Sequence, residues 1–362
     1  MKNQKLQGLR GIAALVVFVS HVLLEGRMVE WMNRTPLGVF ISGSAAVMVF
    51  FFLSGYFAYK EDGTAKGYLQ GMKRKIKKIY PPYLLALGLG LVGYTLISYH
   101  PSFDPYFGIT LAHSWKEVFT WKELAIQSLM FVTLNRATVL DPPIWTMIIE
   151  IRAVFLLPLI YYPMVKFPCF KKTWVTIFYL TGIIVGSHYA NTSLGISFFH
   201  WLPAFVLGGG LHHMIRQGGL SWLKDCKLPY TVVLSILSIC LISFGALHRR
   251  AFFHEDYVYD ISELGCFILV ALILSNGKGL SWLANKGLVL LGNVSYYFYL
   301  IHWIVLAALR PLVVWGVETV GSSYYICYDL YVMVALVLSF GVALGMQWIF
   351  SFHGKKEKLQ LG

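Results

Sequence analysis

Ten runs of predominantly apolar residues follow one another along the chain, separated by polar segments. A helix that crosses a bilayer needs roughly 20 such residues, and most of these runs have that length. We therefore predict an all-α, polytopic integral membrane protein with about ten transmembrane helices. The predicted spans are residues 9–25, 37–59, 80–99, 142–165, 173–190, 195–214, 228–247, 257–275, 290–315 and 329–352.

A further apolar run, residues 124–135, lies within the long segment 100–141. At about a dozen residues it is too short to cross a bilayer. We predict that it is re-entrant or interfacial, and that segment 100–141 forms a partly structured cap on the outer side.

Composition agrees with a membrane protein, because 57% of the residues are hydrophobic and only 13% are charged. The net charge of +13 would suggest a nucleic-acid partner in a soluble protein. With a cytoplasmic N-terminus, however, 21 of the 30 Lys and Arg residues fall in inner segments and 8 in outer ones. This asymmetry favours both termini in the cytoplasm and predicts no nucleic-acid partner.

The remaining features add no second domain. The five cysteines are scattered, and no metal-ligand spacing is present. The basic start resembles a signal peptide but lacks a small-residue cleavage pattern, which favours an uncleaved first helix. We predict one membrane domain, residues 1–354, and a short basic cytoplasmic tail, residues 355–362. Whether it forms a homo-oligomer is left open.

Arg10 and His21 are the first candidates for chemistry, because lipid tolerates polar groups poorly. They are eleven residues apart, about 16 Å along a helix and close to three whole turns, so both project from one face. Arg10 would lie at the cytoplasmic interface, either as a snorkelling anchor or as a ligand-binding cation. His21 would lie past mid-membrane, either in a packing hydrogen bond or in a functional role.

Glu150 is the clearest buried acid, and a carboxylate at that depth needs a partner. His21 is the preferred partner, since both lie at a comparable expected depth. Arg152 is weaker because residues two apart do not face each other on a helix. A purely structural ion pair is the alternative role for Glu150.

Other polar positions are less decisive. Ser54 precedes Gly55, a pair that usually marks close helix packing, and no nucleophile elbow surrounds it. His302 is either a hydrogen-bonded aromatic-belt residue or part of a site. The first inner segment is the most basic piece of the chain, explained either by topology and anionic lipid or by a phosphate-binding role. Its cations are Lys60, Lys66, Lys73, Arg74, Lys75, Lys77 and Lys78.

Five motifs follow one another along the chain: Arg10 with His21 eleven residues later, residues 50–55 (FFFLSG), 78–83 (KIYPPY), 145–150 (WTMIIE) and 291–302 (LGNVSYYFYLIH). In this order they resemble those of the membrane acyltransferase-3 family, bacterial integral-membrane O-acetyltransferases and acyltransferases of surface carbohydrates. Two departures stand out: Lys75 and Lys78 replace the family's Arg pair, and Arg152 adds an unusual charge. Lys lacks the bidentate fork of Arg, which changes how a ligand can be held.

The resemblance implies transfer of an acyl group, most simply acetyl, from cytoplasmic acyl-CoA to a hydroxyl of a cell-surface or lipid-linked carbohydrate, in the bacterial cytoplasmic membrane. His21 would act as general base or as transient acyl carrier, and Glu150 would orient it. Acetyl-CoA is the expected co-substrate, and no metal is expected. The residues implied in substrate binding are Arg10, Ser54, Arg74, Lys75, Lys78, Tyr83, Trp145 and His302.

Two other functions are left open by the sequence. A proton-coupled transporter or exporter would use His21, Glu150 and His302 as a proton relay. A polysaccharide polymerase or flippase would use the large outer cap. Neither explains the order of the motifs, and the acyl chain and the acceptor stay undefined.

Overall fold

The computed structural model describes residues 3–22, 31–32, 35–59, 65–117, 120–130, 140–194, 198–221, 223, 227–247, 255–275 and 279–360. Within these ranges the regular structure is entirely helical, which confirms the all-α prediction. The long helices are α1 (Gln4–Val22), α2 (Gly43–Ala58), α3 (Ala65–Leu96), α4 (Trp145–Lys166), α5 (Thr173–Leu194), α6 (Phe198–Arg216), α7 (Leu228–Leu247), α8 (Glu255–Leu274), α9 (Lys286–Val314) and α10 (Tyr324–Gln360).

Every predicted span overlaps one of these helices. Among the described residues, five helical segments are both long and apolar enough to cross a membrane. These are Gln4–Val22, Gly67–Leu96, Pro142–Lys166, Lys286–Thr319 and Tyr324–Ser351. The chain is therefore a membrane protein by length and composition, whereas ten crossings with both termini inside stay a prediction.

The third span differs most from expectation, because α3 begins about 15 residues earlier than predicted. The basic stretch was expected to be a loop that ends at the proline pair, yet the helix continues through Pro81 and Pro82. Proline is tolerated inside membrane helices where neighbouring groups satisfy the backbone. The carbonyls that Pro81 and Pro82 leave without a helical donor are those of Lys77 and Lys78, and the Tyr296 hydroxyl donates to the next carbonyl, that of Ile79, at 2.6 Å. Lys75 and Lys78 are consequently held on a helix.

Close backbone contacts set the packing of two helix pairs. A Cβ on Gly11 would overlap the carbonyl of Leu288, and one on Gly292 would overlap that of Gln7, so α1 and α9 approach closely. Gly55 and Gly208 do the same for α2 and α6, against the carbonyls of Phe205 and Phe52. Small residues permit such contacts between membrane helices. This is the packing role predicted for the Ser54-Gly55 pair.

The segment between α3 and α4 packs as a cap on the bundle. It contains the short helices Pro101–Phe103, Ile109–Ala112 and Trp121–Ser128. The last covers the first part of predicted run 124–135 and, at eight residues, is too short to span; residues 131–139 lie outside the described residues.

Arg310 holds this cap from α9. It is one of the eight cations that the charge count assigns to outer segments, but its side chain is fully buried. Its guanidinium donates to the carbonyls of Leu111 (2.8 Å) and Ala112 (2.7 Å) and lies over the ring of Phe103. The cation therefore joins the cap to the bundle.

Candidate active site

A cavity of about 460 Å³ lies among α1, α2, α3, α4 and α9. This size is in the usual range for small-molecule sites. Its wall combines aromatic and aliphatic side chains with four cations, one acid and several hydroxyls. The polar lining residues are Arg10, Ser54, Tyr68, Arg74, Lys75, Lys78, Thr146, Glu150, Ser295, Tyr296 and Tyr299.

Glu150, Lys75 and Ser54 form a closed trio on this wall, one from each of α4, α3 and α2. The Lys75 ammonium lies 3.0 Å from the Glu150 carboxylate and donates to the Ser54 hydroxyl at 2.6 Å. Ser54 in turn donates to the same carboxylate oxygen at 3.1 Å. The partly buried acid thus has the charged partner that its environment demands. Lys75 was not expected to supply it.

The other cations of the cavity are less engaged by acids. Arg10 is close enough to Glu150 for an electrostatic interaction, while the Arg74 side chain is exposed and donates to the Gln70 carbonyl at 3.3 Å. Lys78 lines the same wall one turn from Lys75. With one carboxylate against four cations, the cavity has an excess of three positive charges, a suitable environment for a polyanionic ligand.

His21 lies beyond this cavity and faces α9. Its ring stacks on that of His302, with centroids 5.4 Å apart and planes 26° apart. It also meets the Trp303 ring edge-on at 4.8 Å. The prediction that Glu150 pairs with His21 is wrong, because Glu150 is bound to Lys75 and Ser54 instead.

This pairing was predicted because the start of α4 was assumed to lie at the outer surface of the membrane. Pro143 instead lies beside Tyr299, whose hydroxyl donates to its carbonyl at 3.1 Å. Tyr299 is about 13 residues, or roughly 20 Å, along α9 from Lys286. Glu150 is two turns further along α4, toward the Arg10 end of the bundle.

His302 links the cavity wall to His21. Its side chain is fully buried, and Nδ1 contacts the Tyr299 carbonyl at 2.7 Å. A carbonyl only accepts, so Nδ1 is the protonated nitrogen and Nε2 carries the lone pair. Tyr299 also lines the cavity and accepts a hydrogen bond from Thr146 at 3.0 Å.

A family model described as an acyltransferase domain, Acyl_transf_3, matches residues 3–348. The chain belongs to the acyltransferase-3 family. No match was found among curated proteins, and none among solved structures. The family establishes the activity class as acyl transfer and agrees with the resemblance found in the motifs.

Four candidate site residues of the acyltransferase motifs lie outside the cavity wall: His21 and His302, described above, and Tyr83 and Trp145. Tyr83 is fully buried, and its hydroxyl donates to the carbonyl of Gln127 in the cap at 2.6 Å. Trp145 packs edge-on against Phe51 and lies near Trp201. Their roles in substrate binding stay predictions.

Several lining residues were missed as individual site residues. Thr146, Tyr296 and Tyr299 fall within motifs that identify the acyltransferase family, yet nothing in the spacing singles out their hydroxyls. A helical-face argument could have found Tyr296 and Tyr299, because residues three apart lie on one side of α9.

Proposed function

We propose that this protein transfers an acyl group, most simply acetyl, from cytoplasmic acyl-CoA to a hydroxyl of a surface or lipid-linked carbohydrate in the bacterial cytoplasmic membrane. The observation that carries the proposal is the single cavity that joins a cluster of four cations to the hydroxyls of Thr146 and Tyr299. Coenzyme A has the matching shape, since several phosphate charges are followed by a long, nearly neutral arm.

The phosphates would bind at the basic end of the cavity. Arg10, Arg74 and Lys78 line the cavity and would neutralise them, while Lys75 faces Glu150. Charged hydrogen bonds to phosphate are among the strong ones in proteins. The pantetheine arm would then run between the aromatic walls toward Tyr299.

His21 would act at the far end of this path. As general base it would take the proton of the acceptor hydroxyl while that oxygen attacks the thioester carbonyl. As the C–S bond breaks, the His21 imidazolium would give this proton to the departing CoA thiolate and return to its neutral form. Such assistance is worth about 10²–10⁴-fold in rate. Because Tyr299 and His302 lie between the cavity and His21, the arm has to pass beside the Tyr299 ring. The same position also suits His21 as a transient acyl carrier.

In this proposal Glu150 keeps Lys75 and Ser54 in place on the cavity wall and does not orient His21. His302 and Trp303, the two rings in contact with His21, hold the imidazole. The proton-coupled transporter has less support, since the relay it requires would need Glu150 beside the histidine pair.

Coenzyme A binding tests the proposal. The purified protein in lipid nanodiscs should be stabilised against thermal unfolding by CoA, less by dephospho-CoA and not by pantetheine alone, because the phosphates supply the charged contacts. Mass spectrometry of surface glycans from cells with and without the gene should then reveal an acyl group that depends on the protein. Absence of a CoA effect on the intact protein would contradict the proposal.

A further inference from the structure

A second cavity, of about 340 Å³, lies between the α1–α2 pair and α7, and we call it the apolar recess. The cavity described above, lined by Arg10 and Glu150, is called the basic cavity from here on. The two cavities border the same two helices, α1 and α2, but share no lining residue. The apolar recess is therefore a separate site, which the proposed acyl transfer does not use.

The lining of the apolar recess is almost entirely hydrocarbon. Aliphatic side chains of α1, α2 and α7 form most of it, and no charged side chain lines it among the described residues. Its two hydroxyls belong to Thr231 and Ser235, and each donates to the carbonyl four residues earlier on α7, at 3.4 and 2.7 Å. These hydroxyls need no hydrogen bond from a ligand. The lining therefore suits an apolar chain and neither a sugar nor a nucleotide.

The apolar recess opens to the membrane. Its floor includes the buried residues Ala13, Ala46 and Ile242, whereas Ile236 and Trp282 at its rim are 57% and 56% exposed. Because α1 is long and apolar enough to cross a membrane, the medium at this opening is lipid hydrocarbon. A lipid chain can thus enter sideways from the bilayer.

The turn Ser281–Ala284, with the glycine before it, closes one end of the apolar recess. A Cβ on Gly8 of α1 would overlap the Leu283 carbonyl, and one on Gly279 would lie 3.0 Å from Leu228 Cδ1 of α7. The turn therefore joins the beginnings of α1 and α7. This is the end that the charge count predicts to be cytoplasmic.

The turn Pro36–Ile41 closes the other end, where the Ser243 hydroxyl donates to the Pro36 carbonyl at 2.6 Å. Between the two ends, the lining on α7 runs from Thr231 to Ile242. These eleven steps along a helix measure about 16 Å. The hydrocarbon core of a bilayer is about 30 Å thick, so the apolar recess has the depth of one leaflet.

Lysines of three elements lie at the end closed by the turn Ser281–Ala284. Lys5, Lys227 and Lys286 are each three or four residues along the chain from a lining residue, and Lys227 and Lys286 are exposed. The chain segments around this end contain six lysines and one acid, Asp225, in residues 1–8, 224–230 and 276–290. Such clusters of cations attract anionic lipid headgroups.

We infer that the apolar recess holds one acyl chain of an anionic glycerophospholipid, whose phosphate lies at the end bearing Lys227 and Lys286. The chain alone gives little preference, because surrounding lipid tails are as apolar as the lining. The lysines therefore select the headgroup, and the depth of one leaflet selects an acyl chain over a long polyprenyl chain. The bound chain fills the space between α7 and the helix that carries Arg10 and His21.

The test uses the full-length protein, delipidated in detergent, and native mass spectrometry. The probes are phosphatidylglycerol and phosphatidylcholine with the same acyl chains, and a polyprenyl phosphate. Ile239→Trp places a larger side chain in the apolar recess. Leu237→Trp is its matched control, because Leu237 is exposed on the same helix and does not line the recess.

A second pair of variants tests the headgroup. Lys227→Gln combined with Lys286→Gln removes two of the three lysines at the proposed phosphate position. The matched control is Lys171→Gln combined with Lys172→Gln, two exposed lysines of the connection between α4 and α5. This connection is also predicted to be cytoplasmic, so both double variants change the net charge equally on the same side.

We expect the wild type to bind phosphatidylglycerol about tenfold or more tightly than phosphatidylcholine. Ile239→Trp should weaken the binding of both lipids about tenfold or more. The variant at Lys227 and Lys286 should weaken phosphatidylglycerol about fivefold for each lysine and leave phosphatidylcholine unchanged. Both controls should stay within about twofold of the wild type.

Equal affinity of the wild type for the two phospholipids would overturn the inference, as would tighter binding of the polyprenyl phosphate. Equal losses in Ile239→Trp and Leu237→Trp, or in the two double lysine variants, would overturn it as well. Circular dichroism checks that each variant is folded. If Ile239→Trp loses its helical signal, the comparison of the double lysine variants decides, because these change only exposed side chains.

Discussion

At the residue scale, the Ser54–Lys75–Glu150 trio shows how a partly buried acid is accommodated. The sequence indicated that Glu150 needs a partner but not which one, because depth in a bundle depends on where each helix begins. Lys75 was predicted as a phosphate ligand. Its positive charge is, however, partly neutralised by the contact with Glu150. Two lysines thus replace the Arg pair typical of the family, and their surroundings differ. Lys75 contacts Glu150, whereas Lys78 lines the basic end of the cavity.

The trio can be tested by a double-mutant cycle. Lys75→Met should destabilise the protein by about 1–3 kcal/mol, because it leaves the Glu150 carboxylate without its ion partner. Combining it with Glu150→Gln should recover part of this loss, which shows coupling. Thermal unfolding in detergent measures both, and Lys77→Met, on an exposed position of the same helix, should change stability by less than about 0.5 kcal/mol. Additive effects of the two substitutions would contradict the contact.

Charge reversal tests the phosphate site separately from the trio. Lys78→Glu should raise the Kd for CoA about tenfold or more and leave sugar binding unchanged, because Lys78 lines the basic end of the cavity. Lys77→Glu is the control, since Lys77 is exposed on the same helix but does not line the cavity. Isothermal titration calorimetry at two salt concentrations measures the Kd for CoA of each variant. Equal Kd values for the two variants would argue against phosphate binding here.

At the scale of elements, helix existence followed from the sequence and helix boundaries did not. Long apolar runs dictate helices in lipid because every backbone group has to be satisfied internally. The early start of α3 was not predicted, because a basic stretch followed by two prolines is typical of a loop as well as of a helix. The cap was predicted, but its attachment through Arg310 was not. This residue was counted among the outer topology charges, and only the fold shows that its partners are backbone carbonyls.

Removing the Arg310 side chain should loosen the cap. Arg310→Met leaves the carbonyls of Leu111 and Ala112 unpaired in a buried place, which costs about 2–5 kcal/mol. Limited proteolysis should then cut within residues 101–116 at lower temperature than in the wild type. Lys116→Met, an exposed substitution in the same cap, should leave the cleavage pattern unchanged. Equal protection of both variants would show that Arg310 does not hold the cap.

The packing of α2 against α6 depends on Gly55. Gly55→Ala places a Cβ on the Phe205 carbonyl, so the helices have to separate and stability should fall by about 1–3 kcal/mol. Gly88→Ala is the matched control, because that glycine lies within α3 and has open space around it. Its substitution should be neutral or slightly stabilising. Similar melting temperatures for the two variants would contradict the close approach.

At the scale of the whole molecule, the ordered motifs predicted the family, and the match over residues 3–348 confirms it. The sequence could not predict how the basic cavity and His21 are placed relative to each other. Arg10 and His21 share one face of α1, as the eleven-residue spacing indicated, yet Tyr299 and His302 of α9 lie between the basic cavity and His21. The spacing along one helix shows which face two residues share. It does not show which side chains of other helices lie between them and so determine whether a ligand can pass.

The proposed account depends above all on His21, and acetyl transfer by the purified protein tests that dependence most directly. Release of labelled acetyl from acetyl-CoA, to water or to neutral methyl hexosides, should fall about 10²–10⁴-fold in His21→Gln. CoA affinity should be unchanged in this variant, because His21 lies outside the basic cavity. His200→Gln, at a partly buried histidine of α6, should retain wild-type transfer. Wild-type transfer by His21→Gln would contradict the account.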